Sequence, residues 1–242
     1  SVSEVGSSQS FDLGTSIQSS TTCSGAGNFA TISGSFTIPA ASNPMAISSK
    51  YRLNQRARGK LEKYSTRLLE QASQLSPSAI EIHRTLTKCP DAIFARTDDA
   101  GYTALHYACE LGASLEVIES LVKAWPESVK ETTKFGGYLP LHLCFTSSMQ
   151  HQASLSVVRY IISCFSDAIK TTADGGMLPL HVACFYGATI EVVAELLRHS
   201  NAAGVAFQMN SSNRTAEELA LHPAFPLAGV NMNTVQLFRA SA

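Results

Sequence analysis

The chain has 242 residues, of which 45% are apolar and 15% charged, and its formal net charge is −1. This composition predicts a soluble folded chain of one or two domains, because no run approaches the roughly 18 consecutive apolar residues of a membrane-spanning helix. The small net charge hides an uneven distribution: residues 1–49 carry −2, residues 50–67 carry +6 and the remainder carries −5.

Residues 1–49 are dominated by Ser, Thr, Gly and Ala, with scattered apolar residues that follow no regular period. Such a segment buries too little apolar surface to offset the entropy lost on folding. We therefore predict an extended low-complexity N-terminal tail, either free or bound to a partner.

The basic segment begins a pair of predicted helices. Between Lys50 and Leu75, apolar residues recur at the three-and-four spacing of an amphipathic helix. Ser76-Pro77 ends this helix, because the residue before a proline is pushed out of the helical conformation. A second helical stretch covers residues 78–89. Its ending returns 36 residues later, as Lys88-Cys-Pro-Asp-Ala-Ile93 and then Ala124-Trp-Pro-Glu-Ser-Val129. Residues 50–93 are therefore interpreted as a divergent first repeat with the basic helix on its outer side.

A block containing Leu-His then recurs, with its glycines 36 and 39 residues apart. A period in this range indicates a stacked array of helical repeats, in which each unit buries its apolar face against its neighbours. The three copies are Gly101-Tyr-Thr-Ala-Leu-His-Tyr-Ala-Cys109, Gly137-Tyr-Leu-Pro-Leu-His-Leu-Cys-Phe145 and Gly176-Met-Leu-Pro-Leu-His-Val-Ala-Cys184.

These blocks resemble ankyrin repeats, whose pattern is Gly-x-Thr-Pro-Leu-His-x-Ala followed by a glycine turn and a second apolar helix. Gly112 and Gly187 are similar to the turn glycine. Pro140 and Pro179 independently suit the first turn of a helix, where a missing N–H loses no hydrogen bond. The resemblance implies an all-α ankyrin-repeat solenoid of stacked helix-turn-helix units with short hairpin tips.

The resemblance divides the chain after the tail into five units. Residues 213–220 are similar to a worn helix start with Glu218 in place of the histidine, and they mark the last unit. The units are a capping repeat with the basic helix (50–93), a repeat (94–129), a repeat with an enlarged loop (130–169), a repeat (170–206) and a degenerate C-terminal capping repeat (207–242).

Two departures from the family pattern concern the helix starts and one turn. Leu139 and Leu178 stand where the family has Thr, so the hydroxyl contact is missing there. The middle repeat lacks the turn glycine and has about four extra residues in 145–154, so either its first helix is extended or its loop is enlarged. Enlarged loops of solenoids often mark a binding face.

Histidine and cysteine recur together in the three blocks, as His106/Cys109, His142/Cys144 and His181/Cys184. Each pair offers two ligands, whereas a closed zinc site needs four that converge. We therefore predict no metal site, and the ankyrin resemblance implies that these histidines hydrogen-bond between repeats. The cysteines are interpreted as buried reduced thiols, which indicates an intracellular compartment.

The sequence contains no nucleophile elbow, phosphate-binding glycine loop or paired-carboxylate motif. We therefore predict no catalytic residue, no cofactor and no small-molecule substrate.

The positions that the family pattern leaves variable carry aromatic and Met side chains, which favour protein interfaces. The predicted partner-binding residues there are Asp99, Tyr102, Glu110, Leu111, Phe135, Tyr138, Met177, Phe185 and Tyr186. The alternative for some of them, Phe185 above all, is packing against the next repeat. Arg52, Arg56 and Arg58 of the basic helix complete the predicted set.

The hypothesis that follows is a non-enzymatic adaptor or accessory subunit of a stable assembly, which binds protein through the concave ankyrin surface and the tail. Two alternatives stay open. One is a regulatory module that binds nucleic acid or an anionic membrane through residues 50–67, and the other is a protein inhibitor of an enzyme. The ending Trp125-Pro-Glu127 resembles that of ankyrin proteins abundant in algae with secondary plastids, which leaves cytoplasm, plastid and mitochondrion open.

Overall fold

A computed structural model describes residues 55–147, 151–221 and 232–241. The predicted tail and Arg52 lie outside these ranges. The described helices are α1 Gln55–Ala72, α2 Ala79–Lys88, α3 Ala104–Glu110, α4 Leu115–Ala124, α5 Pro140–Leu143, α6 Leu155–Cys164, α7 Pro179–Phe185, α8 Ile190–Ala203, α9 Ala216–Ala220 and α10 Met232–Ser241. Within these ranges the β pairing is limited to an isolated bridge between Ala173 and Met177.

The helices stack in two columns. The first helix of each pair contacts the first helix of the next, so that α1, α3, α5, α7 and α9 follow one another. The second helices α2, α4, α6, α8 and α10 do the same. This arrangement confirms the predicted all-α stack of helix-turn-helix units. The basic helix α1 belongs to the column of first helices and stacks directly on α3.

The second helices of the first three pairs end in the same way. Cys89, Trp125 and Phe165 end α2, α4 and α6 with nearly equal backbone angles, φ of −151°, −146° and −148°. A short 3₁₀ turn follows each of them and buries Ile93, Val129 and Ile169. The similar sequences at residues 88–93 and 124–129 therefore adopt the same conformation. This conformation directs the chain towards the next hairpin tip.

The hairpin tips are connected from one unit to the next by backbone hydrogen bonds. The N–H of Lys134 donates to the carbonyl of Ala100 over 2.9 Å, and that of Asp174 donates to Gly136 over 2.7 Å. The N–H of Ser211 donates to Gly175 over 2.8 Å. These bonds fix the register of neighbouring tips, so equivalent residues of successive units lie side by side.

The repeated histidines bridge the units inside the stack. Nδ1 of His142 accepts the N–H of Leu139 over 3.1 Å, so Nε2 carries the proton and donates to the carbonyl of Met177 over 3.2 Å. His106 and His181 make the same pair of bonds, and all three rings are buried. The prediction that these histidines hydrogen-bond between repeats is confirmed.

The two helix starts that depart from the family pattern keep one of the two hydrogen bonds of the usual cap, the one that the histidine Nδ1 accepts. In α3 the hydroxyl of Thr103 accepts the N–H of His106 over 3.3 Å. Leu139 and Leu178 lack that acceptor and are buried instead. At the C-terminal cap, Glu218 takes the place of the histidine, and its carboxylate accepts the N–H of Thr215 over 2.8 Å.

The extra residues of the middle repeat belong to a loop after its first helix. Helix α5 has only four residues, so the first helix is not extended. Described parts of the loop contact both neighbouring units: the hydroxyl of Ser147 donates to the carbonyl of Glu110, and the amide of Gln152 donates to the carbonyl of Tyr186 over 3.0 Å. The described parts of the enlarged loop therefore connect the end of α3 to the end of α7.

Candidate partner-binding face

The predicted partner-binding residues of the repeats lie on the hairpin tips and the first helices. We call this set the candidate face: Asp99, Tyr102, Glu110, Leu111, Phe135, Tyr138, Met177, Phe185 and Tyr186. Phe135 is 73% exposed at its tip and Tyr186 is 41% exposed at the end of α7. Asp99 is also exposed, and the other six are half-buried.

The aromatic rings of the candidate face pack against each other and against the helices beneath them. The rings of Tyr102 and Tyr107 lie 5.1 Å apart, and those of Phe185 and Tyr186 are also 5.1 Å apart. The ring of Tyr138 lies 6.0 Å from that of His142. Tyr107 was missed in the sequence, although it occupies a position that differs between the three blocks. These contacts hold the rings in place, which lowers the entropy lost when a partner covers them.

Two of the predicted residues also have structural partners. The carboxylate of Asp99 accepts the N–H of Ala100 over 2.6 Å, and this bond holds its pKa below the usual range. The sulfur of Met177 accepts a hydrogen bond from the amide of Asn210 over 3.3 Å. Phe185 packs on the hydrophobic core.

Comparison with known proteins detects ankyrin repeats in two segments of the chain. A family model described as Ankyrin repeat matches residues 100–130 and 175–209. The chain carries ankyrin repeats. A search of curated proteins finds no match to it. The two matched segments contain α3 with α4 and α7 with α8, and the pair α5 and α6 stacks between them in the same columns.

Ankyrin repeats generally mediate protein–protein interaction, and the family is typically non-enzymatic. Both ring nitrogens of each bridging histidine are engaged in hydrogen bonds to the backbone, so neither is available as a metal ligand. Among the described residues no three His, Cys, Asp or Glu side chains gather in a way that could hold a metal ion.

The cysteines of the ankyrin array are mostly buried. Burial raises the pKa of the Cys109 and Cys184 thiols, which keeps both protonated and unreactive. Cys164 at the end of α6 is exposed, so the interpretation of buried thiols is wrong for this residue. Cys23 lies outside the described residues.

Glu110 has the most unusual electrostatic surroundings on the candidate face. Burial raises the pKa of its carboxyl group, and a hydrogen bond from the Tyr102 hydroxyl partly opposes this effect. Burial also raises the pKa of Tyr102, Tyr138 and Tyr186, and the charge of Glu110 adds to the shifts of Tyr102 and Tyr186. The charge of Glu110 therefore acts on tyrosines of two units, Tyr102 and Tyr186.

The basic helix α1 forms a second exposed surface. Lys60, Lys63 and Arg67 are exposed at a three-and-four spacing, and Leu68 and Ala72 are buried on the opposite side. Arg58 is exposed and Arg56 lies within α1. The ammonium group of Lys60 lies 6.0 Å from the centre of the Tyr64 ring. None of the described helices has the length and apolar character needed to cross a membrane.

Proposed function

We propose that this chain is a non-enzymatic adaptor or accessory subunit of a larger assembly, which binds another protein through the candidate face. Residues 1–49 would provide a second contact with the same assembly. The observation that carries the proposal is the exposure of aromatic side chains at positions that the ankyrin pattern leaves variable, above all Phe135 and Tyr186. Large aromatic side chains that face water are typical anchors of protein interfaces.

Binding of the partner is expected to be lost when the side chains of Phe135 and Tyr186 are removed. Replacing Phe135 and Tyr186 by Ala removes exposed side chains and leaves the core intact, so the fold should keep its helical circular dichroism. An anchor of this kind is worth about 2 kcal/mol, or roughly 30-fold in Kd. Affinity capture from cells that make the chain natively, with quantitative mass spectrometry, should show proteins enriched by the natural chain and lost with the double variant.

A matched control distinguishes specific binding through these two residues from nonspecific hydrophobic binding. Ile80 is 69% exposed on α2, away from the candidate face. Ile80→Ala should capture the same proteins as the natural chain. Equal capture by the natural chain, Ile80→Ala and Phe135→Ala/Tyr186→Ala would contradict the proposal. An enzyme among the captured proteins that loses activity when bound would identify the inhibitor alternative.

The exposed basic row on α1 supports a second candidate function, a regulatory module that binds nucleic acid or an anionic membrane. Each phosphate neutralised by a basic residue releases bound counterions, so affinity for a DNA duplex should fall steeply with salt. Replacing Arg52, Arg56 and Arg58 by Ala should reduce the slope of log Kobs against log salt by about 3, measured by fluorescence anisotropy. The control Lys123→Ala/Lys130→Ala, on and after α4, should leave the slope unchanged. The same slope in all three proteins would exclude this function.

A further inference from the structure

A cavity of about 660 Å³ lies on the column of second helices, between α6, α8 and the 3₁₀ turn Ser166–Lys170. Helix α8 contacts both α6 and this turn. The candidate face consists of hairpin tips and first helices, so the cavity lies outside it. The polar residues that line the cavity are Arg159, Ser163, Ser166, Glu195, Arg198 and His199.

Glu195 holds both arginines of the cavity, and its carboxylate is only 9% exposed. Its Oε2 accepts from Nη2 of Arg159 over 3.1 Å, and its Oε1 accepts from Nη2 of Arg198 over 2.6 Å. In the other lysine and arginine ion pairs between described residues, one carboxylate faces one cation. Two arginines on one carboxylate leave the cavity with an excess of one positive charge. The arginines hold the pKa of Glu195 at about 2, so it stays ionised at neutral pH.

Most N–H groups of the two guanidinium groups remain available to a ligand. Each guanidinium binds Glu195 through Nη2, and the same nitrogen of Arg198 lies 2.8 Å from Nε2 of His199. The N–H groups on Nη1 and Nε form no hydrogen bond to any other described residue. The side chains of Arg159 and Arg198 are 59% and 65% exposed. Because Glu195 already fixes both arginines, less side-chain entropy is lost when a ligand binds them.

The 3₁₀ turn adds donors that the equivalent turns of the array lack. Those of the first two units begin with Pro90 and Pro126, which have no N–H. The turn of the third unit begins with Ser166, which carries both an N–H and a hydroxyl group. Neither group forms a hydrogen bond to another described residue. Donors from α6, α8 and the turn therefore line one cavity.

A phosphate group matches this set of donors. It carries a charge of about −1.5 to −2 at pH 7 and three acceptor oxygens, and arginine binds it with paired N–H bonds. Ligand pockets measure about 300 to 1,000 Å³, so the cavity has room for a phosphorylated side chain with its adjacent backbone. Among the described residues that line it there is no Phe, Tyr or Trp, so a nucleobase would have no such ring to stack on.

The charge around the cavity favours a single phosphorylated side chain over a membrane. Residues 155–203, which include α6 and α8, contain three basic and four acidic residues. An anionic membrane surface is bound by clusters of about four to eight lysines and arginines. The positive charge of this region is concentrated instead on the two arginines that Glu195 holds.

We propose that this cavity binds a phosphorylated serine or threonine side chain of another protein. Arg159 and Arg198 donate N–H bonds to the phosphate oxygens, and Ser166 donates through its N–H and its hydroxyl. Both arginines are more than half exposed, so a short phosphorylated side chain reaches them. The site is separate from the candidate face, and phosphorylation of a partner would determine whether the partner binds there.

Selection from a degenerate dodecapeptide library with a central phosphoserine, carried out on the full chain, tests the proposal. Selected peptides, measured by fluorescence anisotropy, should bind at least about 10-fold more tightly than the same sequences with unmodified serine. Arg159→Gln and Arg198→Gln should each weaken the phosphopeptide about 10-fold and leave the unmodified peptide unchanged. Lys123→Gln is the matched control, because Lys123 occupies in α4 the position that Arg198 occupies in α8, and it should bind as the natural chain does.

Ser166→Pro tests the turn with a substitution that the fold accepts. The first two units have proline at this position after residues with nearly the same backbone angles, so the variant should keep its helical circular dichroism and its Tm. It removes one N–H and one hydroxyl, so affinity for the phosphopeptide should fall about 5-fold. An unchanged affinity would overturn the part assigned to Ser166.

Other outcomes would overturn the proposal as a whole. Peptides that bind equally with and without the phosphate would do so, as would phosphopeptides that bind Arg159→Gln and Arg198→Gln like the natural chain. Vesicles of phosphatidylcholine and phosphatidylserine that bind through these arginines in place of the peptides would overturn the choice of a protein ligand. Inorganic phosphate that binds as tightly as the peptides would overturn the choice of a phosphorylated side chain.

The variant Phe135→Ala/Tyr186→Ala separates this inference from the proposed function. It should bind the phosphopeptides as the natural chain does, because the cavity lies outside the candidate face. Loss of phosphopeptide binding in this variant would place the peptides on the candidate face and overturn the inference. Capture of the natural partner through Phe135 and Tyr186 would stand in either case.

Discussion

Lowering the pH from 7 to 5 is expected to destabilise the repeat stack by about 4 kcal/mol, because His106 and His142 are held neutral in the fold. Burial lowers the pKa of each to about 4, and it lowers the pKa of His181 as well. In the unfolded chain these histidines titrate near 6.5. Their contribution is therefore complete above pH 6.5 and is lost as the pH falls towards 4, at about 2 kcal/mol for each histidine by pH 5.

The chemical reason lies in the hydrogen bonds of the bridge. Nδ1 of His142 accepts the N–H of Leu139, and a proton on Nδ1 would set two donors against each other. The ion pairs of Glu195 titrate in a separate range, because the arginines beside it hold its pKa at about 2. That contribution is present above the unfolded pKa of the carboxyl group, about 4.5, and is lost below it. The ion pairs of Glu195 therefore do not contribute to the change in stability between pH 6.5 and 5.

Urea unfolding followed by circular dichroism between pH 7 and 5 measures the effect. The double variant His106→Asn/His142→Asn should be less stable at pH 7, since both bridges are altered, but its stability should change much less with pH. His83→Asn is the control, because His83 is exposed on α2, and it should keep the full pH dependence. A double variant with the pH dependence of the natural chain would show that other groups control acid stability.

The features that the sequence predicted well are those encoded within a few residues. The glycine before each block, the proline at a helix start and the aromatic-proline ending each act on the local backbone. The predicted second helix of the first unit, residues 78–89, agrees with Ala79–Lys88 because Ser78 and Pro90 punctuate it at both ends. The histidine bridges were predicted through the family resemblance, and their backbone partners lie in the next unit.

The features that escaped prediction depend on atoms from several units. The sequence left open whether the middle repeat extends its helix or its loop, because the answer depends on how residues 145–154 fill the space beside Gly112 and Tyr186. The sequence predicted Glu110 and the tyrosines as separate partner-binding residues, each at a position that the family pattern leaves variable. That burial raises the pKa of Glu110 and of Tyr102, Tyr138 and Tyr186 follows only from the stacking of the units.

Replacing Gly112 by Ala is expected to destabilise the array by about 3 kcal/mol or more, from two separate costs. The backbone of Gly112 has φ of +65°, a left-handed conformation that costs an ordinary residue about 1 to 2 kcal/mol. A Cβ atom there would also lie 2.1 Å from the carbonyl oxygen of His151 and 2.7 Å from its carbonyl carbon. These are backbone atoms of the enlarged loop, so relief requires the loop itself to move.

Gly204→Ala is the matched control for the conformational cost alone. Gly204 ends α8 with φ of +74°, and a Cβ atom there would have no neighbour within 4 Å. Urea unfolding should therefore show a loss of about 1 kcal/mol for Gly204→Ala and a clearly larger loss for Gly112→Ala. Equal losses would mean that the loop does not pack on Gly112. If the loop moves to admit the new methyl group, the bond from the Gln152 amide to the Tyr186 carbonyl is expected to break, and the end of α7 loses one of its contacts. The same substitution should then weaken partner binding although residue 112 lies outside the candidate face, which links the irregular loop of the middle repeat to recognition.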